Sequence, residues 1–245
     1  MCLQFISGYN VITSMGIGLN KLIGNNIEEF NMENFNKINL DIDLFFNKHK
    51  RLPYETRLAC YSMESAFSMM LEREDDVDRI NLDEIGIIVA TTYTNLKPIK
   101  SLIEEAKEYG INKINPAIFP NTVLNSISGH AAINLGVKGA NITISQGDKS
   151  GQKALDYALD ILQCGILERV IVCEVNLNIQ SDDLLKTSNS IISSINESIS
   201  TIVIQNKPNG EAGHFCSETF NKAETKPNAV LQKIYELKNK LEIGV

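Results

Sequence analysis

Residues 142–176, "ITISQGDKSGQKALDYALDILQCGILERVIVCEVN", read as strand, sharp turn, long helix and second strand. In many α/β enzymes the turn between the first strand and the helix carries the reactive side chain. Here it offers Gln146, Gly147, Asp148, Lys149 and Ser150, with neither a cysteine nor a histidine. A carboxylate in that place is a weak nucleophile, and the acyl anhydride it would form hydrolyses rather than waiting for a second substrate. At a helix start, Asp148 has a simpler use as an N-cap whose carboxylate accepts backbone N–H bonds, worth about 1 kcal/mol. Lys149 beside it would neutralise it locally. Ser150 has no adjacent base and reads as a helix-surface hydroxyl.

Other groups that could do chemistry are few. The histidines are His49, His130 and His214. His130 falls in "TVLNSISGHAAINLG", a helix of small residues expected to be mostly buried, so it reads as a hydrogen-bonded core or interface histidine. Acyl-thioester hydrolysis or transfer would need Asp148 and His130 within reach of one pocket. Cys2, Cys60, Cys164, Cys173 and Cys216 lack C-x-x-C spacing, which argues against a zinc cage and a disulfide framework and leaves buried free thiols. Cys173, at the end of a buried strand, reads as packing. Gly136, Gly139, Gly147 and Gly151 lack the G-x-x-x-x-G-K spacing of a phosphate cradle. No metal, cofactor or catalytic residue is expected.

The elements that must position these groups alternate along the chain. "LQFISGYNVIT" gives a first strand and "SMGIGLN" a glycine-rich turn into a short helix. "EEFNMENFNKINLDIDLFFNKHKR" reads as an irregular surface excursion. Pro53 opens a helix with Leu58, Tyr61, Ala66, Met69 and Met70 at spacings near three and four, ending in a solvated acidic run, "EREDDVD". "EIGIIVATT" is a compact apolar run of strand length. The helix "LKPIKSLIEEAKEYG" follows, closed by Gly110. "NPAIFPN" leads into the small-residue helix, which ends at Gly136. "ANITIS", the helix 149–164, "RVIVCEV" and "SISTIVIQN" complete the alternation. A polar stretch then precedes the amphipathic "AVLQKIYELKNKLEI", with Val230, Ile234, Leu237 and Leu241 on one face.

Strands alternating with helices predict a layered α/β sheet with helices on its faces. The expected division is a domain over 1–206 and, over 207–245, a polar connection with a tail helix that docks on the core or on a partner. The formal charge of -7 disfavours a nucleic-acid partner, since phosphate binding needs clustered positive charge. No apolar run reaches the roughly 18 residues of a membrane span and the N-terminus lacks a basic signal start, so a cytoplasmic protein is expected.

From about residue 4 to about residue 206 the chain resembles the N-terminal half of the β-ketoacyl-acyl carrier protein synthases, of the thiolase fold. "ISGYNVITSMG" is similar to the opening strand and turn of that family and "EIGIIVATT" to its second strand. "FPNTVLNSISGHAAINLGVKGANITIS" is similar to the segment before its nucleophile, with Asn125, Gly129, Gly136, Gly139 and Asn141 in the expected places. The resemblance implies half of a thiolase-like fold, an α/β sheet of about five mixed strands. It places Asp148 where the family has its cysteine, and Cys173 and Glu174 where it has paired glycines. The family's two catalytic histidines come from a C-terminal half, and none of the three histidines here matches them. The implied role is a catalytically silent subunit, similar to the shortened chain-length factors of aryl-polyene-type polyketide systems. Such a subunit pairs with an active ketosynthase as a heterodimer and meets acyl carrier protein only indirectly. Ile118, Phe119 and Val123 match the loop and helix start that reach toward the partner's acyl tunnel. A pure assembly scaffold is the other non-catalytic reading. Left alone, such a half would expose the apolar faces of the small-residue helix and the helix 149–164, unless the tail or another subunit covers them.

Overall fold

The computed structural model describes residues 4–18, 38–40, 52–91, 95–177, 197–206 and 228–242. Its sheet has six strands: β1 (Phe5–Thr13), β2 (Gly16–Ile17), β3 (Ile85–Thr91), β4 (Asn141–Ile144), β5 (Arg169–Asn176) and β6 (Ser198–Gln205), in the order β2-β1-β6-β5-β3-β4. The helices are α1 (Tyr54–Leu71), α2 (Leu96–Tyr109), α3 (Ser126–Leu135), α4 (Ser150–Gln163) and α5 (Ala229–Glu242). β4 and β5 run parallel to β3, which requires helical crossovers, whereas β6 is antiparallel to both β5 and β1. The mixed α/β sheet expected from the sequence is present. The sixth strand is a two-residue hairpin return, pairing Ile12 with Ile17 and Thr13 with Gly16, at the turn from which the sequence predicts a short helix. The residues that would form that helix lie outside the described ones.

Every residue of β3 and of β6 is buried, as is the whole middle of β5. Continuous apolar runs such as "IGIIVAT" are what strands covered on both faces require. α1 and α3 cover one face, where Leu58, Ala59, Met63, Ala66 and Phe67 meet Ile87, Val89, Ile171 and Val203. α4 and α5 cover the other, where Ala154, Ala158, Ile161, Leu162, Val230 and Ile234 meet Val170, Val172, Ile202 and Ile204. α5 thus lies on β5 and β6 beside α4. Full burial of residues such as Val230, Leu231 and Ile234 contributes roughly 1.5–3 kcal/mol each. The side chains of Leu237 and Leu241 lie outside the described residues.

Three expectations are corrected. The segment read as a surface excursion is described only at 38–40, and there Ile38 is core, 1% exposed, with its N–H donated to the buried carboxylate of Glu197. Tyr61 and Met69 do not share the buried face of α1, since that face is set by Leu58, Met63, Ala66 and Met70. Instead they line an open cavity of about 520 Å³ with Tyr9, Glu64 and Glu72. α3, expected to be mostly buried, buries only Ile127, Ser128 and Ala131.

β1 crosses α1 at a β-bulge between Ile6 and Gly8, and a Cβ at Gly8 would overlap the Ala66 carbonyl of α1. Helix backbone cannot move aside without breaking the i to i−4 ladder. Gly8→Ala is therefore expected to destabilise the chain by about 1–3 kcal/mol. The measurement is a lower urea midpoint at unchanged m-value.

Candidate functional site

β4 is the edge of the sheet, paired only with β3 among the described residues, and its C-terminal end feeds the exposed turn 145–149. Gly147 takes φ +58°, which turns the chain sharply into α4. The tight turn brings the Ser150 hydroxyl back onto it: Oγ donates to the Gly147 carbonyl at 2.7 Å and accepts the Gln146 N–H at 2.8 Å. Ser150 is 2% exposed, so the expectation of a helix-surface hydroxyl is corrected. The N-cap expectation for Asp148 is corrected as well. Lys149 occupies the N-cap position without a side-chain cap bond, and Asp148 is exposed one residue earlier. Ser150, rather than Asp148, holds the elbow. Ser150→Ala is expected to cost about 1–2 kcal/mol, and Asp148→Ala to stay within about 0.5 kcal/mol of the parent, both by denaturant titration.

α3 lies against this edge strand through specific bonds. The Asn141 amide on β4 donates to the Ser128 carbonyl at 2.9 Å, and the Ser128 and Thr143 hydroxyls meet at 3.0 Å. Ser128 Oγ also donates to the Asn125 carbonyl, and Gly136 ends the helix at φ +71°. With one side lashed to β4, the other side faces out. Ile133 is 81% exposed, and a Cβ at Gly129 would meet nothing within 4 Å. Leu124, Val123 and Phe119, ahead of the helix in the chain, are also exposed, with Ile118 half-buried on the 3-10 turn Pro116–Asn121. The structure thus sets an elbow without a thiol beside an exposed helix side and, not expected from the sequence, an open strand edge.

His130, expected to be buried, is half-buried on α3. Neither the cavity beside α1 nor a smaller one of about 230 Å³ at Leu167, Arg169 and Gln205 is lined by Asp148 or His130. Cys60 and Cys173 are buried, and burial pushes both thiols up to about 12, where they remain protonated and inert. Cys164 is exposed at the end of α4, a correction, because it follows the last buried turn of that helix. Cys2 and Cys216 lie outside the described residues, as do His49 and His214. No group of three His, Cys, Asp or Glu side chains among the described residues could hold a metal ion, and no described helix is long and apolar enough to cross a membrane. The acidic run after α1 is solvated except at Arg73, which donates to the Ser7 carbonyl at 2.9 Å, and Glu74, which forms a mostly buried ion pair with Arg169 at 2.7 Å.

Sequence reasoning gave Glu174 no role beyond replacing a glycine. It is 3% exposed on the α4/α5 face of β5 and accepts the Val230 N–H at 2.8 Å. Burial pushes its carboxyl above the usual carboxylate range, against the backbone N–H groups of 228–230 and the Asn176 amide, which pull the other way. Asn176 is its one near partner, and the backbone N–H groups that compensate its burial lie more than 50 residues further along the chain.

A family model described as "Beta-ketoacyl synthase, N-terminal domain" matches residues 28–203. The 3-oxoacyl-[acyl-carrier-protein] synthase 2 of Synechocystis sp. is 30% identical over 95 residues, 39% of this chain and 23% of that protein. The 3-oxoacyl-[acyl-carrier-protein] synthase 2 of Vibrio cholerae is 22% identical over 152 residues, 60% and 36% respectively. The chain therefore spans about a quarter to a third of these curated relatives. Among solved structures, the ishigamide ketosynthase/chain length factor superposes with TM-score 0.64 at 16% identity over 83% of this chain and 62% of that one. The complex of the ketosynthase ApeO with its chain length factor ApeC from Xenorhabdus doucetiae superposes with TM-score 0.57 at 15% identity over 84% and 79%. At these identities the likeness is one of fold.

Proposed function

The chain belongs to the β-ketoacyl synthase family through that family's N-terminal domain, and from that premise we propose that it is a non-catalytic subunit, similar to a chain-length factor, that pairs with an active ketosynthase. The observation that carries this reading is the elbow. It keeps the strand, the positive-φ glycine and the helix, yet presents exposed Asp148 and a Ser150 hydroxyl already engaged by backbone. Neither group can form and hold a thioester. The described cysteines sit elsewhere, on α1, at the end of α4 and within β5.

The partner surface is the open edge of β4 with the outer face of α3. An exposed strand edge with half-buried Ile142, Thr143 and Ile144 beside it is a template for another strand, which proteins otherwise blunt or cover. Exposed Ile133, Leu124, Val123 and Phe119 add large apolar side chains of the kind enriched at interfaces. In this reading Ile118, Phe119 and Val123 reach toward the partner's acyl tunnel, and bulk there limits chain length. Acyl carrier protein then meets the partner rather than this chain. The solved neighbour of which this chain covers 79% comes from a complex of a ketosynthase with its chain length factor, which supports the same assignment.

The test is co-expression of a tagged chain with a ketosynthase that has its cysteine and both histidines, followed by native mass determination. A one-to-one heterodimer is expected. Ile133→Asp, at an exposed position, is expected to weaken pairing at least tenfold with the urea midpoint unchanged. Val123→Phe is expected to shorten the product of the pair. A monodisperse monomer with no affinity for the ketosynthase overturns the subunit reading, and pairing with unaltered product length under Val123→Phe leaves only a scaffold role.

A further inference from the structure

α5 begins on a buried polar cluster rather than on solvent. Its first turn follows Asn228, the one non-glycine residue with positive φ among those described, at +57°. The Asn228 Oδ1 accepts the Ser198 hydroxyl at 3.0 Å and the Asn176 amide, so both strands beneath grip the residue that starts the helix. The Glu174 carboxyl then receives the Val230 N–H at 2.8 Å, with the N–H groups of Ala229 and Asn228 also directed at it. That carboxyl fits only because residue 151 on α4 is glycine, since a Cβ there would overlap all three atoms of the Glu174 carboxyl group. One side chain therefore reads the position of two helices, filling the space left by Gly151 on α4 and satisfying the orphan donors at the start of α5.

We propose that Glu174 is the docking latch of α5, a buried carboxyl seated against Gly151 that holds the helix on the sheet and lets it open as a unit separate from the strands beneath. Opening α5 returns the carboxyl to water and uncovers the face of β6 and β5 beside α4. The groups acting on the carboxyl are known from each element around it: the N–H groups of 228–230 from α5, the Asn176 amide from its own strand, and Cys173, held protonated by burial. The unpartnered Ser200 hydroxyl stands opposite Glu174 on β6, and Gly151 is the contact from α4. Lys233, the buried cation of α5, pairs with Glu236 instead.

The latch makes a signed prediction. Burial raises the carboxyl of Glu174 when α5 is docked, so docking is strongest when the group is protonated and weakens as pH rises through its folded-state titration. Hydrogen–deuterium exchange on the full chain, corrected for intrinsic rates, reads this directly. As pH rises from the acidic side through neutrality, the protection of the amides of residues 232–236 is expected to fall while that of 87–90 in β3 holds. Glu174→Gln, which keeps the acceptor and removes the charge, is expected to abolish that pH dependence. Glu174→Ala and Gly151→Ala are expected to lower α5 protection at least tenfold with β3 unchanged. If α5 and β3 lose protection in parallel, or if α5 protection is indifferent to pH in the parent and to Glu174→Gln, the latch is wrong. The pH experiment needs only the parent chain, so it decides the matter even if a variant fails to fold.

Discussion

Four neighbouring strands, β1, β6, β5 and β3, bury both of their faces, and every other feature follows from the need to cover them. A sheet of this kind cannot be left with one bare side, because each exposed Val or Ile would forfeit roughly 1.5–3 kcal/mol. α1 and α3 answer on one side and α4 with α5 on the other. The last helix is thus a structural part of the sheet's second layer, although it follows a long polar stretch of sequence. Its buried cap on Glu174 is consistent with that demand: a helix needed for coverage must have its first N–H groups satisfied where water does not reach.

Coverage stops short at the candidate site. β4 lies at the end of the strand order with one free edge among the described residues, and α3 is tied to it by Asn141, Ser128 and Thr143 while its outer side carries Ile133 into solvent. The polar bonds fix α3 firmly enough that the exposed face is presented rather than loose. An apolar surface held rigid in this way lowers the ordering cost of association. The elbow sits at the end of the same edge strand, so its turn and the open edge are one structural question.

Much of this was legible in the sequence, for identifiable reasons. "IGIIVAT" could be read as a strand buried on both faces because nothing in it is polar enough to face water. Gly110 and Gly136 ended their helices as expected, both with positive φ. What was not legible depends on partners distant along the chain. Ser150 was misread because its role depends on Gly147 bending the turn back onto it, a matter of backbone angle rather than residue type. Glu174 gave no signal because a charged residue in a strand is ordinarily exposed, and here the compensating N–H groups come from residues 228–230. α3 misled in the opposite sense, since a helix rich in small residues fits both a buried helix and one waiting for a close neighbour. Sequence composition cannot tell these two states apart.

The elbow is held in shape by the layer it leads into. Ser150 stitches Gln146 to Gly147 and starts α4, whose buried face carries Ala154, Leu155, Ala158 and Leu162 into the core. Changing the turn would therefore disturb the layer that also seats Gly151 against Glu174. A reactive side chain can be exchanged at Asp148, which is exposed and outside the network, at little cost to the fold. The glycine and the serine on either side cannot. The shape of the elbow therefore depends on Gly147 and Ser150, while the exposed side chain at 148 is not required by the fold.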